Sequence, residues 1–313
     1  MPGFLTHYIA GQALLKVVDP KIQKIIIPCE RLYNLGSQGP DIFFYYLPGH
    51  LRKRTRGVGI EMHQQDLGLF LADMAQQAKN AKSKKERDII FSYTAGFIMH
   101  YVLDANAHPY VYAKSFSQGA LKLKNSADHR KLETAIDVAM LKLTSGEKPS
   151  DYSQWELINA EKNQMSVASK AMSYVLLNTY KRSIPYKSVL RAMQYTVHLT
   201  RLLQSKHGKR KKMMQLAENL TIREPLFSSL IHDQEVSVDD CLNTLKNEWQ
   251  APWEAPHETH NDSFVERYHV AIEEGKKMIE FLHAYSYMDI EITQLAENLG
   301  NRSLKTGLTC QAS

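Results

Sequence analysis

The chain has 313 residues, 43% apolar and 23% charged, with only 15 glycines and 11 prolines. That is the make-up of a globular, mostly helical chain long enough for one large or two ordinary domains. The net charge of +6 and pI near 9.0 suit phosphates, nucleic acid or an anionic membrane surface without choosing among them. Cys29, Cys241 and Cys310 lie far apart with no CxxC, which argues against a disulfide framework or a zinc–thiolate site. The opening "MPGFLTHYIAGQ" lacks the pattern of a signal peptide, and no segment is long and apolar enough to span a bilayer, so the expected location is cytoplasmic.

In chain order, residues 5–18 read as a helix ended by Asp19-Pro20. "LGSQGPDIFFYYLPGH" (35–50) has the punctuation of an irregular loop, and "LRKRTRG" (51–57) reads as a basic loop. A helix is predicted from about Glu61 to Ala81, with His63 at its start. Ser83 and Glu86 form a capping box that opens the next helix, which Pro109 is expected to end. Further helices are predicted at 126–144, 160–182, 186–206, 210–220, 237–249 and 263–298, with Ser237-Val-Asp-Asp240 as one start signal. No strand alternation is sustained, so the fold class is all-α. The expected division is a metal-binding helical core at 1–145 and a helical part at 146–313 packed onto it as one compact unit.

The chemistry concentrates in "GFIMHYVLDANAHPYVY" (96–112), where His100, Asp104 and His108 recur every fourth position in an apolar run. Residues four apart share a helix face, about 6 Å apart along the axis, so His100 and Asp104 can grip one ion. His108 lies about 12 Å from His100 along the axis, too far for the same ion at bond lengths near 2 Å. The spacing therefore predicts two centres side by side, with Asp104 placed between them. "SADHRKLETAID" repeats the logic with His129 and Glu133. Asp41 sits in a Gly-Pro-Asp turn, His63 follows in "EMHQQDLGLF", and His7 lies near the start of the first helix. These eight imidazole and carboxylate donors, with no thiolate, suit hydrolytic rather than structural zinc.

With those residues in their order, the sequence resembles the zinc-dependent phospholipase C family over about residues 4–140. The phrases "THYIAGQ", "GPDIFFYY" and "HYVLDANAHPY" carry the likeness beyond bare spacing. The resemblance implies a multi-helix bundle around a multinuclear site of two or three zinc ions. It implies one zinc on Asp41, His63, His100 and Asp104, a second on His108, His129 and Glu133, and a third on Asp104 and His7. In secreted members an N-terminal tryptophan also holds the third zinc, whereas this chain opens Met1-Pro2-Gly3. The residue after Asp41 is Ile42, followed by the aromatic run Phe43 to Tyr46, and no match to a choline-binding set is evident.

The implied function is hydrolysis of a phospholipid or related phosphodiester by metal-activated water, with Asp41 as both ligand and catalytic residue orienting that water. Peripheral membrane contact fits this reading. An S1/P1-like nuclease or nucleotidase is the alternative enzyme, but the basic stretches 51–56 and 206–212 are short and lack interleaved aromatics, which sets nucleic acid behind phospholipid as a partner. A non-catalytic zinc-binding scaffold is the third reading. Asp128 and Asp137 flank the His129/Glu133 pair and are candidates to orient its imidazole. His50, His198, His207, His232, His257, His260, His269 and His283 have no ligand-type partner in register, and His257 and His260 are expected at the surface. Trp249 and Trp253 are expected to pack the last helix rather than line a groove.

Overall fold

The computed structural model describes residues 3–46, 52–116, 126–204, 211–214, 216, 231–255, 257–288 and 290–310. Among them the fold is all-α, with only isolated bridges, Trp249 to His260 and Arg302 to Thr309, outside the helices. In chain order the helices are α1 (Phe4–Val17), α2 (Pro20–Ile26), α3 (Glu30–Gly36), α4 (Arg52–Met62), α5 (Leu67–Lys79) and α6 (Lys84–Phe116). There follow α7 (Ser126–Ser145), α8 (Gln154–Ile158), α9 (Lys162–Tyr180), α10 (Tyr186–Leu203), α11 (Phe264–Tyr287) and α12 (Ile292–Leu299). A 3-10 turn, Gly39–Phe43, carries the Gly-Pro-Asp segment.

The central element is α6, which packs against α1, α2, α3, α5, α7, α9 and α11. A helix surrounded on all sides shows no single apolar stripe, and its buried face includes Phe91, Phe97, Met99, Leu103 and Val111. Its approach to α3 is backbone on backbone. A Cβ on Gly36 would run into the Tyr93 carbonyl, and one on Gly96 into the Tyr33 carbonyl. This contact brings the Gly39–Phe43 turn against the middle of α6, where His100 sits. The buried apolar residues form one cluster from Leu5 to Leu304.

Several expectations are corrected. Pro109 does not end α6, which continues to Phe116. A proline removes one helical hydrogen bond and crowds the carbonyl four residues back. Here that carbonyl, of Ala105, faces Gly307, a left-handed residue whose missing side chain lets the C-terminal segment lie against Ala105 and Pro109. The "basic loop" is instead helix α4: Thr55, Val58, Gly59 and Met62 form a buried stripe at i, i+3, i+4 and i+7, while the basic side chains face out. The predicted helix from 61 to 81 is two helices, and His63 follows the end of α4 rather than beginning a helix. Residues 237–249 form turns, because Asp240, Asn243 and Lys246 all have positive φ. The span 263–298 divides into α11 and α12. The predicted helix at 210–220, the basic stretch at 206–212, and His50 and His207 lie wholly or mostly outside the described residues.

Candidate metal centre

Five imidazoles and three carboxylates meet on the face of α6 that carries His100, Asp104 and His108. Three sets of donor atoms could each hold an ion: His7, His100 and Asp104; Asp41, His63 and His100; and His108, His129 and Glu133. The first two share His100. Asp104 Oδ2 lies 3.8 Å from His108 Nδ1, which joins the third set to them. His7 Nε2 and His100 Nε2 each stand 3.2 Å from Asp104, on its two different oxygens, and His63 Nε2 stands 3.2 Å from Asp41. His129 Nε2 lies 2.7 Å from Glu133 Oε1, the i,i+4 pair on α7. The structure therefore brings together all eight residues singled out in the sequence.

The backbone aims the rings. His63 Nδ1 donates to the Gly59 carbonyl at 2.6 Å, His100 Nδ1 to the Ser37 carbonyl at 3.1 Å, and His108 Nδ1 to the Leu304 carbonyl. A carbonyl only accepts, so the proton is on Nδ1 and the Nε2 lone pair is left for a metal. His129 follows the same rule. Ser115 Oγ donates to the Val111 carbonyl, which leaves its oxygen to accept from His129 Nδ1 at 3.3 Å. Gly39 makes the His100 arrangement possible. Its φ is +51°, and any Cβ there would strike the His100 ring.

Whether the residues fit metal is tested by what they lack. Both nitrogens of His7, His100 Nε2, Asp41 Oδ1 and both oxygens of Asp104 are buried without a hydrogen bond. Each such atom costs about 1–3 kcal/mol, and a folded chain does not gather several of them at one point for packing. The donor set is hard and imidazole-rich, as hydrolytic zinc requires. The electrostatics agree. Burial resists ionisation of Asp104, but His108 and His100 beside it hold its carboxyl well below the ordinary carboxylate range. Burial pushes His108 down to about 3, and burial likewise lowers His7 and His129, keeping these imidazoles neutral and available as ligands. Burial opposes protonation of His100 too, yet Asp104 and Asp41 overcome it and raise its pKa.

A solvent-open recess of about 860 Å³, counting its mouth, borders the cluster. His7, Asp41 and Glu133 line it, together with Phe4, Tyr45, Arg130, Gln154 and His232 among others. Three expectations change here. Asp137 does not orient His129. It is fully buried and accepts from Leu5 N and Thr6 N, both at 2.9 Å, from Thr6 Oγ1 at 2.5 Å, and from His232 Nε2 at 2.6 Å. His232 thus has a carboxylate partner, supplied across 95 residues, and no local spacing could have shown it. The side chain of Asp128 lies outside the described residues. His260 is half-buried, stacked on Trp249 at 4.5 Å and bonded to Glu254, rather than a free surface residue. Trp249 packs as expected, against Tyr110, with Arg267 over its face. The aromatic run after Asp41 divides: Phe43 is core, Phe44 leans on His63, and Tyr45 faces the recess.

The all-helical fold and the convergent imidazoles and carboxylates define a candidate multinuclear metal centre. The chain matches the family model described as zinc dependent phospholipase C over residues 3–194, a span containing all eight donors, and it belongs to that family. No curated protein and no solved structure gives a significant match. Among the described residues no helix is long and apolar enough to cross a membrane.

Proposed function

We propose that this protein is a zinc-dependent hydrolase that cleaves a phospholipid or related phosphodiester, using the eight-residue cluster to hold two or three zinc ions. Family membership supports the reaction class. The observation that carries the reading is Asp104, buried between His7, His100 and His108, with neither oxygen hydrogen-bonded. A carboxylate so placed, with each oxygen facing an imidazole, would serve as a metal ligand and would supply charge to hold a cation there.

Zinc, when bound, supplies Lewis acidity toward a phosphoryl oxygen and acidifies the attacking water. The chain's own residues supply the rest. Asp41, on the 3-10 turn and lining the recess, orients the water. His63, His100, His108 and His129 offer Nε2 in orientations set by their Nδ1 partners. Arg130 brings positive charge to the wall where a phosphoryl group would sit. Residues 1–145 act as the metal-binding core, and the remainder packs onto it and closes the far side of the recess. The substrate partner is a phospholipid, met by peripheral contact with a membrane surface.

The test is metal analysis of purified protein, followed by a panel of phosphatidylcholine, other phospholipids, single-stranded DNA and a chromogenic phosphodiester. Two or three zinc ions per chain and turnover of a phospholipid are expected. A protein that binds no zinc, or that cleaves none of the four, overturns the assignment.

A further inference from the structure

The recess holds one histidine that belongs to none of the three donor sets. His232 comes from the segment after α10, outside the family-matched span, and lines the recess together with Gln154, Gln234, His7, Asp41 and Glu133. Its partner defines its chemistry. Asp137 accepts two backbone N–H groups, which can only donate, so the carboxyl is an ionised acceptor and His232 Nε2 must carry the proton of their 2.6 Å bond. That leaves Nδ1 as the working nitrogen. There it accepts, at a long 3.4 Å, from Gln154 Nε2–H, itself a recess residue, so in the structure Nδ1 carries a lone pair. With Nε2 held by Asp137, a proton taken up from solvent at Nδ1 can be passed on to an oxygen in the recess. Asp137 also holds the first turn of α1 through Leu5 and Thr6. The same carboxylate therefore places His232 and, one residue beyond Thr6, His7.

We propose that His232, oriented by Asp137, is the proton donor to the leaving-group oxygen when the phosphodiester is cleaved. This rests on the hydrolase reading above. The step balances simply. Water forms the new bond to phosphorus and releases one proton to solvent. The bond from phosphorus to the leaving oxygen breaks, and that oxygen takes the Nδ1 proton. His232 is then reprotonated from solvent through the open recess. Asp137 is a positioning residue, and it does not itself change protonation.

A pair that only staples α1 would look the same in the resting structure, so the test uses a property that stapling does not touch. Zinc-loaded full-length protein and His232→Gln, whose amide can still donate to Asp137, are compared on two phosphodiesters. One releases an alkoxide, as from a short-chain phospholipid, and the other releases p-nitrophenolate, which leaves without a proton. Loss of about 10²–10⁴-fold on the alkyl ester, with less than about tenfold on the nitrophenyl ester, is expected, and Asp137→Asn should shift the ratio the same way. Equal loss on both esters, or loss on neither, overturns the proton donor while leaving the hydrolase standing. Wild-type protein inactive on both overturns the hydrolase reading and this proposal with it. A readout free of turnover uses wild-type protein and does not depend on how any variant folds. Titration with inorganic phosphate should shift the ¹⁵N resonances of the His232 imidazole, and resonances that stay fixed at saturating phosphate count against it.

Discussion

The donor cluster has two halves built in different ways. His7, Asp41, His63 and His100 come from four separate elements; His7 and His100 are almost sealed from water, while the side chains of Asp41 and His63 remain 11% and 13% exposed. His108, His129 and Glu133 come from only two helices, α6 and α7, and the side chains of His129 and Glu133 remain 18% and 11% exposed. In the first half the His100 ring is held by the Ser37 carbonyl, beside the backbone-on-backbone contact of α3 with α6. The second depends on the relative placement of two helices, and both halves reach the recess, through His7 and Asp41 from the first and Glu133 from the second. A site divided in this way should hold the ions of its two halves with different affinities, with Asp104 as the link between them.

The strongest way to break this comparison is Asp104→Asn, which removes charge from both halves at once. Zinc content should fall in both, and phosphodiesterase activity should drop by several kcal/mol of transition-state stabilisation, about 10³-fold or more; a variant that keeps full zinc and activity rules out the link. Glu133→Gln should act on one half alone. Stepwise chelation should show the weaker zinc lost and the tighter zinc retained, and simultaneous loss of both would mean the halves are not separable. Gly39→Ala attacks the first half through its backbone. The left-handed φ and the collision with the His100 ring together should cost about 2–4 kcal/mol, read as a lower melting temperature with an intact second half. Ser115→Ala is subtler. It removes the acceptor for His129 Nδ1 and should weaken zinc in the second half by about 10–100-fold, measured by competition with a chromogenic chelator.

The smallest effect concerns the metal-free protein. Burial lowers the pKa of His7, His108 and His129, that of His108 to about 3. Below the unfolded value near 6.5 the unfolded chain therefore binds protons that the folded chain refuses, so stability is lost as pH falls from about 6.5 toward 3. His100, whose pKa is raised because Asp104 and Asp41 outweigh burial, works in the opposite sense and adds stability that is lost as pH rises. Three against one, acid should lower the melting temperature of metal-free protein. A melting temperature that holds or rises on acidification would show that the imidazoles are not kept neutral by burial.

How far the molecule could be read in advance depended on sequence distance. His100 with Asp104, and His129 with Glu133, were legible as chelates because i,i+4 spacing is a local property of one helix. His7, Asp41 and His63 have no such neighbour. Only their order along the chain and the likeness to a family connected them to the rest. Helix α4 was hidden because its buried stripe includes Thr55 and Gly59, which carry little hydrophobic signal. The break-up of 237–249 was hidden because Asp240, Asn243 and Lys246 take left-handed conformations that polar loop residues tolerate but do not announce.

By itself the amino-acid sequence determined the helical class, the two chelates and the kind of ion they suit, because helix periodicity and donor chemistry are carried by neighbouring residues. The tertiary structure alone decided that Leu304 orients His108, that Asp137 serves α1 and His232 rather than His129, and that a recess opens beside the cluster. Those contacts join residues that packing brings together from distant parts of the chain, and no pattern along the chain encodes them.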